Sequence, residues 1–133
     1  AYGMRASAVD ARAASFAAFL GPTVMRGDLI RDLSLGNTAK VGIVGALLPQ
    51  PDLVILDEPF ANLDPGARIA LEGLIRAETH RGATVLVSSH DLDHVVDVCD
   101  RILVMAEGYV VRDTPRAPET LAELQAFFAG GGV

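Results

Sequence analysis

Two acidic residues, Asp57 and Glu58, follow directly on an unbroken apolar run, Leu53-Val54-Ile55-Leu56, and Ser89-His90 follows a second such run, Ala83 to Ser88. Adjacent carboxylates leaving a buried strand can divide the work of a magnesium–nucleotide site. One holds the metal, usually through water, and the other orients an attacking water. The same dipeptide also serves as the acidic turn of a solvated loop, so on its own it does not decide between the two. Ligands of open parallel sheets bind beyond the carboxyl ends of the strands, and there both groups would open on one edge and share a site. A serine hydrolase is excluded, because Ser88 or Ser89, His90 and Asp91 are contiguous and cannot reach one another as a triad. No G-x-S-x-G elbow occurs either. His80 and His94 stand alone and read as solvated surface residues rather than ligands.

The elements that must hold these residues are written in apolar spacing and punctuation. Val9, Ala13, Phe16 and Leu20 predict an amphipathic helix over 8–20 closed by Gly21-Pro22, and residues 22–33 predict a short helix plus a connection. A second helix is predicted after Ser34, with Val41, Val44 and Leu48 on its apolar face, ending at Pro49-Gln50-Pro51. Residues 53–56 predict a strand buried on both faces. Asp64-Pro65 predicts an N-cap with proline at the first helical position, followed by the stripe Ala67, Ala70, Leu71, Leu74 and Ile75, with Arg68, Glu72 and Arg76 opposite. Gly82 closes that helix and 83–88 is a second strand. Leu92, Val95, Val96 and Cys99 mark a further helix, with Asp91, Asp93, Asp97 and Asp100 facing away from the stripe. Strands at 102–105 and 109–111 flank Glu107-Gly108 as a hairpin, and a last helix over 118–128 carries Leu121, Leu124 and Phe128 inward. Strands alternating with helices predict an α/β fold with a mostly parallel sheet flanked by helices.

Residues 53–65, L-V-I-L-D-E-P-F-A-N-L-D-P, resemble the Walker B and D-loop of ATP-binding cassette (ABC) ATPases. Leu33-Ser34-Leu35-Gly36-Asn37 resembles that family's signature, commonly L-S-G-G-Q, and Val87-Ser88-Ser89-His90-Asp91 resembles its H-loop. The three motifs stand in the family's order, and the resemblance covers nearly the whole chain. It implies a P-loop NTPase-type sheet and ATP with Mg²⁺ as cofactors. Asp57 would help hold the metal, Glu58 would act as general base, and His90 would contact the γ-phosphate. Ala61, Asn62, Leu63 and Asp64 would form a D-loop linking two nucleotide sites across a dimer, although Asp64 also has a plain capping role. Ser34, Leu35, Gly36 and Asn37 would form an anion site, at a helix N-terminus, for the ATP held by the other subunit. Leu35 replaces the usual third-position glycine, Asn37 replaces glutamine and Ala39 stands where a polar residue is common, so altered affinity rather than loss is expected.

The implied partners are transmembrane transporter subunits and a second nucleotide-binding domain, with the protein peripheral at the cytoplasmic face of the membrane. A soluble cassette ATPase acting on ribosomes or DNA, and a silent partner-binding fragment, are the competing readings. Seventeen acidic residues against eleven basic ones, of which Lys40 is the single lysine, argue against nucleic acid as a partner. A length of 133 residues, half of them hydrophobic, supports one domain with a real core. The lone Cys99 permits no internal disulfide and fits a reducing, cytosolic setting. No apolar run approaches the roughly 20 residues needed to span a bilayer, and the N-terminus carries no leader pattern.

No G-x-x-x-x-G-K-[ST] phosphate loop occurs in these residues, since Lys40 lies between Ala39 and Val41. The family's adenine-stacking aromatic and Q-loop glutamine are also missing. Together with an opening Ala1-Tyr2-Gly3 that lacks methionine, this leads to the expectation of the carboxyl-terminal part of a nucleotide-binding domain. Residues 1–50 would be its helical subdomain and 51–133 part of its catalytic core. In the family, the strand carrying the phosphate loop lies between those at 84–88 and 102–105. The chain alone is therefore expected to carry unpaired strand edges, to be poorly stable and to be inactive.

Overall fold

The computed structural model describes residues 6–25 and 33–131. The chain divides into two compact units, Ala1–Ser88 and Ser89–Val133.

In the first unit, α1 (Ala6–Ser15) and α2 (Ala17–Met25) replace the single helix expected over 8–20. Ser15 turns its hydroxyl back to the Arg12 carbonyl at 2.6 Å, where the ladder breaks before Phe16. Gly21, at φ 76° and ψ 170°, interrupts α2 ahead of Pro22, a conformation glycine adopts without penalty. Of the connection expected over 22–33, residues 22–25 belong to α2 and 26–32 lie outside the described residues.

Helix α3 (Leu35–Leu47) begins where expected, with Ser34 as its N-cap. Its buried face is Ile43, Val44 and Leu47, whereas Val41 and Leu48 are only half-buried. The observed stripe is thus rotated from the expected one. Strand β1 (Leu53–Asp57) pairs in parallel with β2 (Thr84–Ser88), in a register running from Leu53 opposite Thr84 to Asp57 opposite Ser88. Helix α4 (Pro65–His80) starts at the Asp64 cap and closes in a Schellman turn, with Gly82 N–H on the Thr79 carbonyl and Ala83 N–H on the Glu78 carbonyl. Gly82 takes φ 100° there.

Helix α3 packs against β1 and α4 against β2, and Val54, Leu56, Leu47, Leu71 and Ile75 are all buried. Each such side chain removed from water contributes about 1.5–3 kcal/mol. The expected burial of both faces is not observed. Leu53, Ile55 and Leu86 alternate onto the opposite face at 55%, 64% and 51% exposure, because no described element of this unit packs there.

In the second unit, α5 (Leu92–Val98) is followed by β3 (Arg101–Ala106), β4 (Tyr109–Pro115) and α6 (Thr120–Ala129). Strands β3 and β4 form the expected antiparallel hairpin, longer than its apolar letters indicated. Its two-residue turn places Glu107 and Gly108 at φ 48° and 83°, the handedness that matches strand twist. A small core of Ile102, Val104 and Leu124 gathers Val95, Val96, Cys99 and Phe127 around it. Phe127 rather than the expected Phe128 faces this core, and Phe128 stays exposed. Thr120 is buried because its hydroxyl accepts the Ala117 N–H at 2.8 Å, which closes the turn into α6.

Candidate functional site

Strands β1 and β2 end level with each other, and the in-register pair Asp57 and Ser88 closes the sheet at its carboxyl edge. The Ser88 hydroxyl donates to Asp57 Oδ1 and accepts the Glu58 backbone N–H at 3.0 Å. That N–H also reaches the Ser88 carbonyl at 3.2 Å, continuing the ladder one residue beyond the strand. Glu58 then turns the chain sharply with φ 45°. Left-handed backbone at a non-glycine residue costs about 1–2 kcal/mol and persists where its surroundings over-determine it. Here the Ser88 hydrogen bonds on one side and the buried Pro59-Phe60 on the other supply that constraint. The result fixes Asp57 and Glu58 on successive, differently directed backbone positions.

Ser88 is the residue that sequence reasoning missed. In the sequence it stands only as a possible nucleophile and as part of the H-loop resemblance. No sequence signal marks it, because its place beside Asp57 is set by the parallel register of the two strands.

The segment after the carboxylates is tied down locally. Ala61 N–H donates to the Glu58 carbonyl at 3.1 Å, Leu63 is buried, and Asn62 is exposed in the left-handed region at φ 61°. Asp64 caps α4 through Oδ1, which accepts the Ala67 N–H at 2.9 Å. That amide, and after it the Lys40 charge, hold the Asp64 carboxyl below the usual carboxylate value against the opposing effect of burial. Asp64 is therefore ionised across the neutral range.

At the start of α3, the Ser34 hydroxyl accepts the Asn37 N–H at 3.3 Å and the Ser34 carbonyl accepts the Thr38 N–H at 2.9 Å. Leu35, standing where the signature has glycine, is 68% exposed, and Gly36 and Asn37 are half-buried. Gly36 lies against residue 62: a Cβ added to it would sit 2.7 Å from the Asn62 carbonyl oxygen. The structure thus brings together two motif groups far apart in sequence, 34–37 and 61–64.

His90 belongs to the second unit, exposed and one residue ahead of the α5 cap Asp91. It therefore precedes the helix. Ser89 Oγ accepts the Asp91 N–H at 3.1 Å, and Asp91 Oδ1 accepts the His94 N–H at 3.4 Å, a chain of caps that sets the backbone leaving His90. His94 is half-buried with Nε2 3.8 Å from Asp91 Oδ2, unlike the solvated surface residue expected, while His80 is exposed.

A magnesium ion in a nucleotide site takes one or two carboxylates, with phosphates and waters completing its octahedron. Asp57, with its hydroxyl neighbour at an open strand end, suits that donor set. Among the described residues no group of three or more His, Cys, Asp or Glu could hold a metal ion by itself.

Residues 29–97 match the family model described as "AAA domain, putative AbiEii toxin, Type IV TA system". The chain is 45% identical over 92 residues to the phosphonates import ATP-binding protein PhnC 2 of Rhodopseudomonas palustris strain BisA53, covering 68% of this chain and 33% of that protein. It thus spans about a third of that relative's length. An ATP-binding subunit of an ABC transporter superposes with a TM-score of 0.78 at 29% identity, over 99% of this chain and 53% of that one. A dimeric ATP-binding cassette in a post-hydrolysis state bound to ADP and Pi has the same fold, with a TM-score of 0.74 at 23% identity over 86% of this chain and 50% of its own. The family model covers just over half of the chain, residues 29–97, so the chain belongs to this family of AAA-type domains, and its likenesses are to ATP-binding proteins of ABC transporters.

Proposed function

We propose that these residues supply the hydrolytic edge of an ATP site in the ATP-binding subunit of an ABC transporter. The observation that carries the reading is the Ser88 clasp, which fixes Asp57 and the Glu58 backbone at the ends of two parallel strands. Asp57 holds Mg²⁺ and Glu58 accepts the proton of the attacking water. The metal, when bound, neutralises charge on the phosphates. His90 hydrogen-bonds the γ-phosphate. Ser34, Leu35, Gly36 and Asn37 face the ATP of a second nucleotide-binding domain, and Ala61, Asn62, Leu63 and Asp64 link the two sites. The dimeric state of the ADP-bound structural neighbour supports this arrangement.

In this reading residues 1–50 form the helical subdomain and 51–133 part of the catalytic core. The phosphate loop comes from residues outside these 133, because none of them forms one. No described helix is long and apolar enough to cross a membrane. In this reading transmembrane partner subunits receive the coupling and hold the protein at the cytoplasmic face. The name of the Rhodopseudomonas relative supports a role in transport.

Asp57→Asn, in the ATP-hydrolysing protein that contains these residues, tests the metal role. The Mg²⁺ concentration for half-maximal hydrolysis should rise about 10- to 100-fold, the range seen when a group that orients or holds a metal is lost. Metal-free ATP binding should stay unchanged. An unaltered Mg²⁺ dependence would remove Asp57 from this role.

A further inference from the structure

The chain's single lysine, Lys40, sits on the second turn of α3 with only 14% of its side chain exposed. Its ammonium lies 3.4 Å from Asp64 Oδ2 and 6.0 Å from the centre of the Phe19 ring. One turn earlier on the same helix, Gly36 meets the Asn62 carbonyl so closely that a Cβ would come to 2.7 Å. Helix α3 therefore touches the 61–64 segment at two points, one backbone to backbone and one through charge. The two carboxylate oxygens of Asp64 divide the work, Oδ1 on the Ala67 amide and Oδ2 on Lys40.

We propose that Lys40 is a positioning residue that clamps the start of α3 to the 61–64 segment, so that Ser34–Asn37 and Ala61–Asp64 meet the nucleotide as one rigid piece. This rests on the function proposed above. A cap needs no cation beside it, and a lysine kept mostly buried loses side-chain freedom that a solvated one retains. The contribution to overall stability is small, because Asp64 is 64% exposed on its side chain and ion pairs open to water are weak. Loss of the clamp should therefore appear in the chemical step, where small misplacements of groups around the reacting phosphate are costly.

The test uses the ATP-hydrolysing protein that contains these residues, with Glu58→Gln as a parallel arm. Lys40→Ala should lower kcat about tenfold with KM for ATP and Tm almost unchanged, and Lys40→Arg should restore most of the rate. Asp64→Asn keeps the helix cap but removes the charge, so it should match Lys40→Ala, and the double variant should be no slower than either single one. Wild-type kcat in Lys40→Ala, an equal loss in Lys40→Arg, or normal turnover in Asp64→Asn would each overturn the clamp while Glu58→Gln still abolishes hydrolysis. Full hydrolysis by Glu58→Gln would instead overturn the underlying assignment of the site, and the clamp's role with it.

Discussion

Under the function proposed above, Glu58→Gln in a protein containing these residues is expected to cut ATP turnover by about 10²- to 10³-fold, the scale of losing a general base. ATP binding should be retained, and the protein should accumulate as a dimer trapped around unhydrolysed nucleotide. The amide is nearly the same size as the carboxylate but cannot take the proton of water. The backbone that aims residue 58 is held by its N–H on Ser88, which the substitution leaves in place. Glutamine also meets the left-handed φ of 45° with the same backbone penalty as glutamate, so the fold has no reason to change. Single-turnover hydrolysis and ATP-dependent sedimentation measure the two effects separately. Undiminished hydrolysis would take Glu58 out of the chemistry.

Glu78→Ala is expected to destabilise the protein by about 3 kcal/mol, the low end for breaking a buried ion pair. Glu78 is a buried carboxylate that receives Arg12 Nη2 and Arg81 Nε, each at 2.8 Å. Arg12 also donates to the Leu47 carbonyl at the end of α3, and Arg81 to the Pro51 carbonyl just before β1. Removing the carboxylate leaves two guanidinium groups facing each other across a cavity, with Arg12 only partly reached by water. At about 2–8 °C per kcal/mol for domains of sizes either side of 133 residues, the corresponding drop in Tm is roughly 6–24 °C. Glu78→Gln keeps the shape and one acceptor, so it should lose less. Equal Tm values for wild type and Glu78→Ala would show that Arg12 and Arg81 find other partners.

Features set by neighbouring residues were readable in the letters. Asp64-Pro65 opens α4, Gly82 closes it, and Glu107-Gly108 turns the hairpin, because caps and two-residue turns are decided within a few positions. The candidate carboxylates were equally visible, since Asp57 and Glu58 follow their strand directly. What escaped was set by tertiary packing. The ion pair between Arg12 and Glu78 spans 66 positions, and no local pattern marks it. The inward choice between Phe127 and Phe128 depends on where α6 rests against Ile102 and Val104. The apolar run of β1 predicts burial on both faces, yet only its Val54 and Leu56 side meets helices among the described residues. Ser88 became legible only once the parallel register set it beside Asp57.

Under the proposed function, hydrolysis at the Asp57–Glu58 edge needs a triphosphate gripped by a phosphate loop, and no G-x-x-x-x-G-K-[ST] motif occurs in these 133 residues. ATP turnover should therefore be measured for the purified chain alone and for the chain joined to the part of its Rhodopseudomonas relative that lies outside the 92 matched residues. Turnover is expected only in the joined form, and Glu58→Gln should abolish it there. Hydrolysis by the chain alone at the rate of the joined form would contradict this.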